Sequence, residues 1–197
     1  LSEILVKKNK THVYIPRLFD SNRFFDLFRA FRILKKIDAP VLTEFQMVRF
    51  VDYLDAARFL LSYPFSFFRL IRKLGSNYED KLLRYGLWQT LDGVILGGYM
   101  RYLLGKRLAS MNNGGMKCLS WYENVVAEKN FYRGLRAYSK KLEIIGVQSF
   151  VRPYSLLNIV PDESEIPFGV VPDKVLVNGP GYLFQSNRIH VGVGPSL

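Results

Sequence analysis

Residues 117–151, KCLSWYENVVAEKNFYRGLRAYSKKLEIIGVQSFV, constrain the fold more than any other part of the chain, because the apolar period changes twice within them. Residues 118–121 form a short, mostly apolar run suited to a buried strand. Residues 125–142 are long enough for a helix, with Phe131, Leu135, Tyr138 and Leu142 at helical spacing and Lys129, Arg133, Arg136 and Lys140 on the other face. Residues 143–147 return to an apolar, β-branched run. Two strands joined by such a helix are expected to lie parallel in one sheet through a right-handed crossover. In units of this kind the ligand crevice lies beyond the carboxyl ends of the strands. Tyr122, Glu123 and Asn124 follow the first strand, and Gln148 and Ser149 follow the second. Asn124 reads as the N-cap of the helix, with Glu123 just outside it.

A chain of 197 residues with 49% hydrophobic content can bury a core, which excludes a disordered protein. Its net charge of +11 is uneven: residues 1–108 carry 19 basic and 10 acidic side chains, residues 109–197 only 9 and 7. The first half is therefore expected to meet an anionic surface. Cys118 is the lone cysteine; its apolar neighbours suggest a buried, reduced thiol and a cytosolic setting. The first ten residues lack the apolar core of a secretory signal. The longest uncharged apolar-rich run, residues 59–68, is interrupted by Pro64 and is too short to span a bilayer.

In chain order, residues 11–15 alternate like a strand. Residues 24–37 read as a helix with Phe24, Leu27, Phe28, Phe31 and Leu34 on one face. Residues 43–61 are again helical in pattern, with Phe45, Val48, Val51, Leu54 and Ala57 as the expected apolar face. Pro64 is expected to break or kink the chain there, and residues 65–74, FSFFRLIRKL, read as an aromatic, basic helix. Residues 78–107 form a further helical region bent around Gly93, Gly97 and Gly98, where small residues suit close helix packing. No G-x-G-x-x-G between strand and helix and no G-x-x-x-x-G-K-[ST] occurs in the chain. Asn112, Asn113, Gly114 and Gly115 make a turn, which divides a helix-rich basic part, 1–111, from an α/β unit, 112–197. After Val151 comes a proline-rich loop, then strands over 173–179 and 189–193 with too few residues between them for a long crossover helix. The chain stops just after a strand, so more protein is expected to follow.

The basic helices have two readings. Either their charges form a solvated rim around packed apolar faces, or Arg29, Arg32, Lys35, Lys36, Arg69, Arg72 and Lys73, interleaved with phenylalanine, seat the protein on anionic lipid. No RNP-type aromatic strand, zinc-finger spacing or helix-turn-helix argues for nucleic acid. His12 and His190 are isolated and Cys118 has no partner cysteine, so no metal site is expected.

W-Y-E-N-x4-K-x3-R-G from Trp121, G-V-Q-S from Gly146, V-P-D-K-V-L-V-N-G from Val171 and V-G-V-G-P-S from Val191 together resemble the acceptor-side domain of GT-B glycosyltransferases that build bacterial surface polysaccharides, such as lipopolysaccharide and capsule. The resemblance covers roughly residues 85–197. It implies an α/β, Rossmann-like parallel sheet domain, one half of a GT-B architecture, with a second Rossmann-like donor domain beyond this chain and a linker near residues 178–197. It further implies a metal-independent transfer from a nucleotide sugar, held by the other domain, to a lipid-linked glycan acceptor at the cytoplasmic face of the bacterial membrane.

Carried over to this sequence, Glu123 is the candidate general base that would deprotonate the acceptor hydroxyl. Asn124, Gln148 and Ser149 would hold sugar hydroxyls, while Lys129 and Arg133 would meet an anionic sugar or phosphate. This chain has Ser149 where related enzymes often have His. Each residue also has a plainer reading: Glu123 as a helix-end charge, Lys129 and Arg133 as a solvated face, and Gln148 as a satisfied polar group at a strand end. The alternative function from the same resemblance is a non-catalytic, membrane-surface scaffold in polysaccharide assembly.

Overall fold

The period changes over residues 116–148 become two parallel strands flanking a helix, and a four-stranded parallel sheet is built outward from that pair. The computed structural model describes residues 12–16, 24–38, 40–91, 94–111, 115–138, 141–148 and 159–194. These fall into two compact units, Leu1–Arg49 and Phe50–Leu197. The division lies within the part expected to form one helix-rich segment.

In the first unit the strand expected over 11–15 is reduced to a single parallel bridge between Tyr14 and Val41. Helix α1 spans Phe24–Leu34 and α2 spans Glu44–Met47. The second unit holds helices α3 (Phe50–Ile71), α4 (Tyr78–Gln89) and α5 (Val94–Ser110). Strand β1 (Met116–Trp121), helix α6 (Val126–Arg136), and strands β2 (Leu142–Gln148), β3 (Lys174–Val177) and β4 (His190–Val193) follow. The strands lie in the order β1-β2-β3-β4, all parallel, with Cys118 opposite Ile144, Gly146 opposite Val175 and Leu176 opposite Gly192. The fold is α/β with a Rossmann-like parallel sheet flanked by helices. Between β3 and β4 the only described helical element is the 3-10 turn Pro180–Tyr182, as the short spacing required.

Helix α6 ends at Arg136, six residues short of the expected limit, because Leu142 is the first residue of β2 and the chain needs a turn to enter the sheet. Its sheet-facing stripe is Glu128, Tyr132 and Leu135, all buried, whereas Tyr138 is exposed. The core joins Tyr122, Tyr132, Leu135, Ile144, Val171, Val175, Val177 and Ile189. A Cβ on Gly146 would stand 2.8 Å from the Tyr122 ring, so the absence of a side chain in mid-strand admits that tyrosine.

The other side of α6 receives α5 at backbone distance. A Cβ on Gly134 would lie 2.1 Å from the Tyr102 carbonyl oxygen, and one on Gly105 would lie 2.4 Å from that of Phe131. Close packing at small residues was expected of Gly97 and Gly98. Gly98 is indeed buried against Asn130, but Gly97 is exposed and meets nothing within 4 Å. Gly93, the turn residues Asn112, Asn113 and Gly114, and Lys140 lie outside the described residues.

Helix α3 departs most from expectation. It continues through Pro64 to Ile71 as one 22-residue helix, since a proline costs one backbone bond and α3 is anchored on both sides of it. Its buried stripe is Asp52, Ala56 and Phe67, with Phe59 and Tyr63 half-buried between them. Val51, Leu54 and Ala57, expected to face inward, are exposed. The inward phase is set by a charge. Arg107 on α5 grips Asp52 through Nε at 3.1 and 2.9 Å and Nη2 at 2.9 Å. Removing one partner of a fully buried pair costs ~3–5 kcal/mol; Arg107 keeps a wet edge, which lowers that figure. Further along, the Phe59 ring stacks on Tyr99 with centroids 4.1 Å apart, and Phe67 meets Trp88 edge-on at 5.0 Å.

Two glycine substitutions of identical chemistry should therefore move stability in opposite directions. Gly97→Ala gains helix propensity in open space, about 0.5–1 kcal/mol. Gly134→Ala forces α5 and α6 apart and should lose roughly 1–3 kcal/mol despite the same propensity gain. Urea denaturation of both variants checks this; equal effects would refute the backbone contact.

Candidate functional site

The carboxyl ends of β1 and β2 lead into Tyr122, Glu123, Asn124 and Gln148, and the structure brings these together with residues 159–165. Tyr122 is fully buried and donates its hydroxyl proton to Asn124 Oδ1 at 3.0 Å. Asn124 adopts φ 58°, the left-handed region, where asparagine is better tolerated than most residues. That conformation turns the chain so that Val125, not Asn124, is the N-cap of α6. Valine offers the first turn no side-chain acceptor, and Glu128 reaches back from that turn to N–H groups at and before the cap. Its Oε2 accepts from the backbone N–H of Glu123 at 2.9 Å and of Val125 at 3.3 Å. Glu128 is buried, and burial raises its pKa above the ordinary glutamate value against the opposing pull of those N–H donors.

Of the expected acceptor-binding residues, Gln148 is buried and donates to the Ile159 carbonyl at 3.0 Å. Asn124 Nδ2 approaches the Val160 carbonyl at 3.5 Å. Lys129 forms an ion pair with Glu165 on the 3-10 helix Glu163–Phe168. Arg133 is exposed, with no carboxylate partner among the described residues. Ser149 lies outside the described residues. Glu123, the candidate base, is half-buried and accepts from the Trp121 indole N–H at 2.8 Å.

Three groups that periodicity could not reveal organise this edge and the opposite one. Asp173 Oδ2 accepts from the Ile144 backbone N–H at 2.7 Å, and its Oδ1 from Arg136 at 2.7 Å. Arg136 also donates to the carbonyls of Gly169 and Val171, which fastens the entry to β3 onto the end of α6. Glu163 accepts from the Ser186 hydroxyl at 2.7 Å and the Asn187 N–H at 2.6 Å. These bonds hold its carboxyl below the usual range. The Cys118 thiol is pushed up to about 11 by burial, which leaves it an inert thiol at neutral pH.

The basic side chains expected to face a membrane lie in separate compact units. Arg29, Arg32 and Lys36 are exposed in the first. Arg69, Arg72 and Lys73 are exposed at the end of α3 in the second. No described helix is long and apolar enough to cross a membrane. Sequence reasoning found the aromatic, basic end of α3 but missed that its face opposite Asp52, Ala56 and Phe67 runs on through Pro64 to Leu54. That face presents Leu54, Arg58, Leu61, Phe65, Phe68 and Arg72 at i, i+4, i+7, i+11, i+14 and i+18, all exposed, Leu61 at 76% and Phe65 at 77%.

No protein-family model matches the chain, and no solved structure matches it. Over 118 residues it is 25% identical to the small ribosomal subunit biogenesis GTPase RsgA of Histophilus somni (strain 2336), a stretch covering 59% of this chain and 34% of that protein. The chain thus matches about a third of the relative's length. This similarity overturns the expected function: a GTPase of ribosomal subunit biogenesis points away from sugar transfer to a lipid-linked glycan, and equally from a scaffold of polysaccharide assembly. Nor does the GTPase activity pass to these 197 residues by motif, because they contain no G-x-x-x-x-G-K-[ST] phosphate loop.

The cap at Glu128 gives a pH-dependent prediction. A carboxyl whose pKa is raised by folding adds stability below its unfolded value, ordinarily 4.5, and loses it as pH rises through the folded value. Relative to Glu128→Gln, which keeps an acceptor oxygen but does not titrate, the wild type should gain stability as pH falls from neutral toward that range. Glu128→Ala, which leaves two N–H groups without their acceptor, should lose about 1–3 kcal/mol at any pH. Denaturation curves across pH check both, and a flat difference between wild type and Glu128→Gln would refute the buried carboxyl.

Proposed function

We propose that this protein works as a peripheral protein at the anionic, cytoplasmic face of a bacterial membrane, with the outer face of α3 as its contact. The observation that carries this is the stripe Leu54, Arg58, Leu61, Phe65, Phe68 and Arg72, an exposed apolar band with guanidinium groups along it and no carboxylate in it. Arg69 and Lys73 flank its end. Such a helix lies in the plane of the interface, with its rings among the acyl chains and its cations at lipid phosphates. Helix α4 supports the same reading: none of its residues is buried, and Tyr78, Leu82 and Tyr85 are exposed along one side.

A second reading follows from the similarity to a ribosomal subunit biogenesis GTPase. The basic residues would then meet ribosomal RNA phosphates, and Phe65 and Phe68 could stack on unpaired bases, but Leu54 and Leu61 in the same stripe would have no counterpart.

Flotation with vesicles separates the two. Binding to phosphatidylcholine vesicles containing phosphatidylglycerol should exceed binding to phosphatidylcholine alone and weaken with salt. Arg69→Gln/Arg72→Gln should reduce it by roughly thirtyfold, about fivefold for each charge, and Leu61→Ser/Phe65→Ser should reduce it even at low salt. RNA binding with indifference to vesicles would replace this reading by the second.

A further inference from the structure

We infer that the first unit carries its own anionic-lipid site, on α1; this rests on the peripheral reading above. Phe25, Phe28, Arg29 and Arg32 occupy i, i+3, i+4 and i+7 of one helix face and line a concavity of about 610 Å³. All four are exposed, Phe25 at 83%. Phe31 and Leu34 lie on another side of α1, half-buried, and line a separate concavity with Val41, Thr43 and Gln46. The helix therefore has distinct inward and outward sides within its own unit, and the outward one combines two aromatic rings with two cations. No carboxylate pairs with Arg29 or Arg32 among the described residues.

The chemistry that complements this set is a phosphodiester headgroup with an attached acyl chain. Two guanidinium groups one helical turn apart can share a phosphate's oxygens, and the rings offer an apolar wall to the first methylenes. Lys36, beyond the end of α1, adds a further exposed cation along the same direction.

The test uses the full chain on the same vesicles. Arg29→Gln/Arg32→Gln should lower the partition constant on phosphatidylglycerol-containing vesicles by roughly thirtyfold and leave partition to phosphatidylcholine unchanged. Combining it with Arg69→Gln/Arg72→Gln should lower binding below either double variant, with circular dichroism reporting an intact helix content throughout. Wild-type binding by Arg29→Gln/Arg32→Gln, with loss in the α3 variant, would overturn the α1 site and leave the α3 contact standing. Saturable binding of glycerol phosphate that Arg29→Gln/Arg32→Gln abolishes, with vesicle partition of that variant equal to wild type, would mark a pocket for a soluble anion and overturn the lipid assignment. No binding by the wild type would overturn both.

Discussion

The second unit depends on two helix backbones meeting where neither has a side chain. Gly105 and Gly134 let α5 lie directly on α6, and any Cβ at either position would overlap a carbonyl of the other helix. Since α6 already covers one face of the sheet, α5 becomes the next layer out, with Leu103 and Leu104 buried within it. Arg107, two residues past Gly105, then takes hold of Asp52 and fixes the rotational phase of α3. The outward stripe on α3 thus follows from a contact made one helix further in, between α5 and α6. A helix clipped to α5 by one ion pair, and by the Phe59 ring stacked on Tyr99, has no freedom to roll its exposed leucines and phenylalanines inward.

The strands were legible as short apolar runs, and the β1–β2 pair as parallel because a helix joins them; β1, expected to be a buried strand, is instead an edge strand with Leu119 and Trp121 exposed, because among the described residues it has a neighbour on one side only. The phase of α3 was not legible. Hydrophobic periodicity assigns Asp52 to the outside and Val51 and Leu54 to the inside, and only the distant Arg107 reverses that assignment. The same blindness hid the cap of α6. Glu128 looks like a surface glutamate on a basic helix, yet Val125 has no acceptor and Asn124 has turned into the left-handed region, so the carboxylate is drawn inward. In both cases a buried charge overrides the apolar pattern, and its partner lies too far away in sequence, or in too unusual a backbone, to be inferred.

The motif that suggested a sugar-transferring enzyme also has a structural account. Trp121 donates to Glu123, Tyr122 to Asn124, Lys129 pairs with Glu165, Gly134 admits α5, and Asp173 completes the hydrogen bonding of Ile144. A parallel sheet whose loops fold back over its carboxyl edge needs contacts of these kinds whatever it binds. Residues in such a pattern can agree between proteins because the architecture agrees, and the reaction has to be argued from groups left over once the fold is satisfied.

The groups left over in this chain are apolar and basic, and the two components have different roles. Fully burying side chains the size of Leu61, Phe65 and Phe68 is favourable by about 1.5–3 kcal/mol each, whereas a cation near an anionic bilayer contributes about 1 kcal/mol. In the proposed attachment the rings and leucines would therefore supply most of the attraction, but they are indifferent to the sign of the surface they enter. The arginines decide that sign. They also act at longer range, because the field of an anionic leaflet extends about a Debye length, ~8 Å in physiological salt, while an apolar contact forms only on touching. Attachment of this kind is selected by charge and held by apolar burial, so added salt should act on its selectivity before it acts on its residual strength.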